Sequence, residues 1–320
     1  MMNKHGGYRG NDLIDFSVNL NPIAKPDGWI EAFEASSRLI TDYPEIDQSS
    51  FRRFLARSLD CSEDELIIGN GATELIYLLA QSLDIETVGI FEPTYNEYRR
   101  AFELFGKTIL SIPLPKENGF ISSFKDLPDC DLYILCNPNN PTGTYIRDIS
   151  GLIQRGALVL LDESFLDFVE DPVNITSEHV IHLRSLTKFY GLAGLRIGYL
   201  KAHPKVISQV RRFQPPWSVN AIALELMAPL MQSDTFKHQT HAWLSRERNR
   251  FRQALPGLIG GEANFFFFQA EHGTFEDLKR AGFYLRQCDD YVGLGPDYYR
   301  FCIHTPDKNI QLIETLKEIL

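Results

Sequence analysis

From Thr87 to Leu200 the chain alternates short apolar runs with polar turns and helical stretches. The runs are Thr87–Phe91, Lys107–Ile112, Leu132–Cys136, Ala157–Leu161, Val180–Leu183 and Ile197–Leu200. Strand-length apolar runs separated by helical or loop segments predict an α/β unit with a mostly parallel sheet. Ahead of it, Asp15 to Pro22 reads as an extended segment ending in a turn. Pro26, Asp27 and Trp29 open a helix running to Leu39, and Tyr43-Pro44 breaks the chain. A helix from Ser49 to Leu59 puts Phe51, Phe54 and Leu55 on one face. After Gly69-Asn70-Gly71, the residues Leu75, Ile76, Leu78, Leu79 and Leu83 recur at helical spacing.

Beyond residue 205 the pattern changes. Arg211 to Leu230 and Thr235 to Leu255 read as helices. Ala263–Phe268, Tyr291–Val292 and Tyr299–His304 read as strands, with helices at Thr274–Arg280 and Asn309–Ile319. This α+β part and the N-terminal segment are each too small to be comfortable alone, so they are expected to pack together. The predicted division is a large domain over 41–204 and a small domain made of 1–40 with 205–320. Arg246, Arg248, Arg250 and Arg252 read as a solvated helix face.

Composition adds exclusions. The 320 residues are 44% hydrophobic and 23% charged, an ordinary globular balance. A net charge of -10 argues against a nucleic-acid partner. The start has no apolar leader, and no run is long enough to span a bilayer. Cys61, Cys130, Cys136, Cys288 and Cys302 form no CxxC pair and no metal-ligand cluster. The expectation is a cytoplasmic protein with reduced thiols, no metal and no membrane partner.

In parallel α/β sheets, ligands sit beyond the carboxyl ends of the strands. Four successive strand ends carry chemistry here: Glu92-Pro93-Thr94-Tyr95, then Asn137 to Gly143, then Asp162-Glu163-Ser164-Phe165, then Ser185-Leu186-Thr187-Lys188. They offer an aromatic ring, an amide, a carboxylate and a lysine. A lone lysine in a polar loop is more often a surface residue. It can also capture a carbonyl as a Schiff base. Ser185, Thr187 and Arg196 are hydroxyl and guanidinium donors suited to a phosphate. Gly71, Ala72 and Thr73, where a glycine turn enters a helix, form either an anion site or a plain helix start.

Taken together, Asn137-Pro-Asn-Asn-Pro-Thr-Gly143, Asp162-Glu163 and Ser185-x-x-Lys188 with Arg196 resemble the fold-type I pyridoxal-phosphate enzymes of the class I/II aminotransferase group. The likeness covers nearly the whole chain. It implies pyridoxal 5'-phosphate anchored on Lys188, with Asp162 on the pyridine nitrogen and Asn140 on the ring oxygen. It implies Tyr95 stacked on the ring, and Gly71, Ala72, Thr73, Ser185, Thr187 and Arg196 around the phosphate. Tyr43 matches a tyrosine that reaches into a partner subunit's site, implying a homodimer with shared active sites. Arg286 and Arg300 match substrate-binding arginines, with a surface ion pair to Asp289, Asp290 or Asp297 as the alternative. His5 and Asn21 are further substrate candidates, the former in a segment equally suited to disorder.

Within the group the resemblance is nearest to two branches that handle phosphorylated amino compounds: threonine-phosphate decarboxylases and histidinol-phosphate aminotransferases. The opening segment, the Thr305–Asn309 ending, and Phe165 at a position where aminotransferases usually carry tyrosine favour the decarboxylase branch. His304 stands where relatives often have arginine, implying pH-sensitive anion binding there. A non-catalytic cofactor-binding sensor is the reading from another class. The intact Lys188 and Asp162, and the lack of an evident helix-turn-helix segment, argue against it.

Overall fold

The computed structural model describes residues 6–23, 25–26, 28–271 and 273–320. In chain order the elements are β1 (Ile14–Asp15), α1 (Trp29–Ser37), α2 (Ser49–Ser58), β2 (Leu66–Gly69), α3 (Gly71–Ser82), β3 (Thr87–Glu92) and α4 (Glu97–Leu104). Then come β4 (Thr108–Pro113), β5 (Leu132–Cys136), α5 (Ser150–Ile153), β6 (Leu158–Asp162), β7 (Val180–Ser185), β8 (Gly198–Lys201), α6 (Pro204–Arg211), α7 (Ala221–Met231) and α8 (Asp234–Ala254). The chain closes with β9 (Ile259–Gly260), β10 (Phe265–Gln269), α9 (Thr274–Arg280), β11 (Phe283–Tyr284), β12 (Arg286–Gln287), β13 (Tyr298–Cys302) and α10 (Pro306–Ile319).

A seven-stranded sheet in the order β2-β8-β7-β6-β5-β3-β4 is the frame. Its β7-β6-β5-β3-β4 portion is parallel, and β8 runs antiparallel to both neighbours. Side chains alternate across a strand, so each apolar run feeds two layers. Leu132 and Ile134 of β5 join α3, α4 and α6 in one core, with Leu160, Leu183 and Leu200. Tyr133 and Leu135 face the other way, with Val159, Leu161, Phe120, Phe124 and Leu152. Burial on both faces explains why these strands read as unbroken apolar runs.

A four-stranded antiparallel sheet, β12-β13-β10-β9, forms from the C-terminal part. The N-terminal segment is tied to this part by backbone. β1 pairs in parallel with β11, and the Cys302 amide donates to Phe16 O at 2.8 Å. Phe16 is fully buried in a core that also holds Phe283, Phe301, Trp243 and Leu316.

Four expectations are corrected. The helix expected over Arg211 to Leu230 is shorter: α6 ends at Arg211 and α7 begins only at Ala221, because Pro215-Pro216 cannot continue a helix ladder. The strand expected at Tyr291–Val292 is a turn, and β12 forms earlier, at Arg286–Gln287. β2 had no counterpart in the pattern reading: its four residues are all buried and it pairs only with β8. Lastly, Arg248 is not on a solvated face. It is buried, and its Nη2 donates to Phe168 O at 2.9 Å, to Ala263 O at 3.2 Å and to Glu262 O. Arg246, Arg250 and Arg252 do stay exposed.

Candidate active site

The carboxyl ends of β5, β6 and β7 and the start of α3 open onto one cleft. Its walls include Ala72, Thr73, Tyr95, Asn140, Asp162, Ser185, Thr187, Lys188, Arg196, Arg286 and Arg300. Residues more than two hundred positions apart in sequence are therefore brought together.

The anion end combines backbone and side chains. α3 starts at Gly71, and its first-turn N–H groups have no partner within the helix. Gly71 has φ +77°, and a Cβ on it would lie 2.4 Å from Nη2 of Arg196. Only glycine satisfies both the backbone and the guanidinium at that point. Gly198 is as constrained: its Cβ would fall 2.6 Å from Arg184 O and 2.9 Å from the Ala72 amide. That close approach lets β8 pass beside α3. Ser185 Oγ and Thr187 Oγ1 lie 2.8 Å apart, both buried. Amides, two hydroxyls and a guanidinium converge, a donor set that fits a phosphate monoester.

Lys188 follows directly. Burial, then the charges of Arg196 and Arg300, pull its amine down to about 8, with Asp162 opposing. An amine so depressed is available as a nucleophile near neutral pH. Asp162 ends β6 on the α3–α4 side. Burial raises its carboxyl, and hydrogen bonds from Ser164 and Tyr98 offset part of that rise. The Ser164 amide donates to its Oδ1 at 2.8 Å. A buried carboxylate facing the cleft suits a protonated ring nitrogen.

Asn140 is aimed by its neighbours. Asn137 and Asn139 spend their side chains folding the loop, bonding Ile146, Pro93 and Thr142. Asn140 Oδ1 instead accepts from Arg300 Nη1 at 2.5 Å and from the Tyr291 hydroxyl at 3.3 Å. Its amide N–H groups are thereby left for the cleft. Thr73 bonds the phenol of Tyr95, whose pKa burial raises.

Arg300 also donates to Ser17 O at 2.6 Å. Arg286 is buried, and its Nη2 donates to both carboxylate oxygens of Asp290, at 2.7 and 2.8 Å. Both arginines still line the cleft, so the ion pair and the cleft position hold together. Phe165 is buried edge-on to Phe265, with ring centroids 5.0 Å apart, and presents no hydroxyl.

Two expectations, those for Asn21 and His304, are not met within the described chain. Asn21 is turned away: its Nδ2 donates to Phe189 O at 2.8 Å and to Thr240 Oγ1 at 2.9 Å, and its Oδ1 accepts from the Ile23 amide. It pins the N-terminal segment to the Lys188 loop rather than facing substrate. Asn19, two residues earlier, lines the cleft with a buried Oδ1 that has no partner among the described residues. Tyr43, expected to reach a partner subunit's site, lies outside the cleft of its own chain; it is 84% exposed and packs on Trp217 with ring centroids 5.1 Å apart. His304 lies off the cleft, against Phe16. Its Nδ1 accepts from the Thr305 amide, and burial with the charge of Lys308 lowers it to about 4. It is neutral near pH 7, so the expected pH-sensitive anion binding has no charge to draw on. His5 lies outside the described residues.

The pattern also passed over Tyr98, Cys136, Ser17 and Tyr291, all on the cleft wall. Tyr98 lies in the first turn of α4, just after Tyr95, and their rings meet edge-on. No group of His, Cys, Asp or Glu among the described residues could hold a metal ion. No described helix is long and apolar enough to cross a membrane.

A mostly parallel sheet with a lysine, a carboxylate and a phosphate cup at its strand ends defines a pyridoxal-phosphate-dependent enzyme of fold type I. The chain belongs to the aminotransferase class I and II family, whose model matches residues 11–316. It is 32% identical to the threonine-phosphate decarboxylase of Salmonella typhimurium, over 98% of this chain and 93% of that one. It is 31% identical to the histidinol-phosphate aminotransferase of Symbiobacterium thermophilum, over 97% of this chain and 91% of that one. The histidinol-phosphate aminotransferase of Sinorhizobium meliloti, solved in complex with pyridoxal-5'-phosphate, superposes with a TM-score of 0.83 at 18% identity, covering 95% of this chain and 89% of that one. Pyridoxal 5'-phosphate is the cofactor of this enzyme family, and the donor set of the cleft fits it.

Proposed function

We propose that the protein decarboxylates L-threonine O-3-phosphate to aminopropanol phosphate, a carboxy-lyase step of cobalamin biosynthesis. The observation that carries this reading is the placement of two guanidinium groups, Arg286 and Arg300, on one wall of the cleft that holds Lys188. A substrate with both a carboxylate and a phosphate matches two forks. Phe165, in a place where a hydroxyl would bond the ring oxygen, supports the decarboxylase branch. So does the 32% identity to a threonine-phosphate decarboxylase.

When bound, pyridoxal phosphate supplies an electron sink for the bond broken at the substrate's α-carbon. We assign the anchor role to Lys188. Gly71, Ala72, Thr73, Ser185, Thr187 and Arg196 hold the cofactor phosphate. Asp162 holds the proton on the ring nitrogen, Asn140 donates to the ring oxygen, and Tyr95 covers the ring face. Arg300 binds the substrate carboxylate and orients the bond that breaks. Arg286 takes the substrate phosphate, sharing its donors with Asp290. Once free, the Lys188 amine carries a proton to the α-carbon. Tyr43 completes the cleft of a second copy, so the working unit is a homodimer.

The rival reading is an aminotransferase of the histidinol-phosphate type, favoured by the similar identity to that enzyme. In it, Lys188 takes a proton from the α-carbon instead. Incubation with threonine phosphate and no 2-oxoacid separates the two. Carbon dioxide release with the aldehyde form of the cofactor retained supports the decarboxylase. Accumulation of the amine form supports the aminotransferase. For the dimer, mixing K188A and Y43A subunits should restore part of the activity that each lacks alone.

A further inference from the structure

The register of β5 and β6 sets Cys136 beside Asp162 at the strand ends, both on the face covered by α3 and α4. α4 drives Tyr98 into that layer, where its side chain is fully buried. A ring there needs only apolar neighbours, and Ala101 and Phe102 on the same helix are apolar. The hydroxyl is the atom that packing does not explain. It donates to Oδ2 of Asp162 at 2.5 Å, while Oδ1 takes the Ser164 amide. The same ring stands edge-on to Tyr95, with centroids 5.6 Å apart at 86°. One residue thus touches both the carboxylate and the ring assigned to the two sides of the cofactor.

We propose that Tyr98 is a positioning residue: its hydroxyl fixes Asp162 and keeps it anionic, so that the shared proton stays on the cofactor's pyridine nitrogen. The inference rests on the assignment of Asp162 to that nitrogen. A donor to a carboxylate stabilises its charged form. Without the donor the buried carboxylate is more basic, and the pair drifts toward neutral acid and neutral pyridine. The phenol itself is held protonated, since burial and the negative charge of Asp162 push its pKa well up. It therefore remains a donor across the working pH range.

The test uses the purified full chain and pyridoxal phosphate labelled with 15N in the ring. Tyr98→Phe should bind the cofactor roughly tenfold more weakly, the loss of one hydrogen bond to a charged group. Its 15N resonance should move from the pyridinium toward the neutral pyridine position. An unchanged resonance with unchanged affinity would overturn the proposal. If Y98F does not fold, Tyr98→3-fluorotyrosine keeps the ring and the hydroxyl. Its 19F signal should shift when pyridoxal phosphate binds, and shift less with an analogue bearing carbon in place of the ring nitrogen. Equal shifts would overturn the proposal. A wild-type protein whose bound cofactor shows no pyridinium signal at all would overturn the Asp162 assignment beneath it.

Discussion

The two ends of the cleft are built differently. The end assigned to the cofactor rises from strand ends of one sheet, and its fit combines backbone, in the positive φ of Gly71 and the close passage of Gly198, with the paired side-chain hydroxyls of Ser185 and Thr187. The end proposed for substrate is assembled from remote pieces. Arg300 comes from β13, Arg286 from β12, and Ser17 and Asn19 from the N-terminal segment. Its charged groups are already engaged, Arg286 with Asp290 and Arg300 with Asn140 and Ser17. A rigid cup suits a cofactor that stays. Side-chain pairs that exchange partners suit a substrate that comes and goes. Arg300 is the bridge between the two ends, because the Asn140 it aims belongs to the cofactor end.

That contrast can be broken in order of effect. On the proposed roles, Lys188→Ala removes the anchor and the proton carrier together, and kcat should fall by roughly 10³-fold or more. Arg300→Met should lower kcat/KM by roughly 100-fold, because it removes the carboxylate's partner and leaves Asn140 Oδ1 with only its longer Tyr291 contact. If Arg300 served substrate alone, cofactor affinity would be untouched; here it should weaken as well. Gly71→Ala should raise the cofactor dissociation constant roughly tenfold, through the strained φ and the contact with Arg196. At saturating cofactor the KM for substrate should stay near wild type. A KM that rises in parallel would mean the two ends are one rigid unit.

The pH effects are smaller. Capture of pyridoxal phosphate needs the neutral Lys188 amine. The capture rate should rise as pH passes upward through about 8 and level off above it. His304 acts on stability instead. Its folded pKa, about 4, lies below the ordinary 6.5, so folding favours the neutral ring. Above pH 6.5 that contribution is complete. Between about 6.5 and 4 the unfolded chain gains a proton that the folded chain refuses, and stability falls. The melting temperature of His304→Asn should decline less over that interval than that of wild type.

The same division explains what could be read from the chain. Strands β3, β5 and β6 were legible because burial on both faces gives unbroken apolar runs, and the residues just after them are where ligands sit. β2 was not, because Leu66–Gly69 is a short run whose partner, β8, lies far along the chain. The residues assigned to the cofactor sit at strand ends and in local motifs, which carry the family resemblance that gave them their roles. At the end proposed for substrate, only the family resemblance nominated Arg286 and Arg300, and it did not distinguish Asn19 from Asn21. One faces the cleft and the other bonds Phe189 and Thr240, and only tertiary contacts decide which. Arg248 was misread for a related reason. A helix face looks solvated in sequence whether or not a loop such as Phe168 covers it.

Reductive trapping tests the centre of this account most directly. Protein loaded with pyridoxal phosphate is treated with borohydride, digested, and its modified peptide is mapped by mass. The account predicts one covalent pyridoxyl group, on Lys188. A stoichiometric label on any other lysine, or none on a loaded protein, would contradict it.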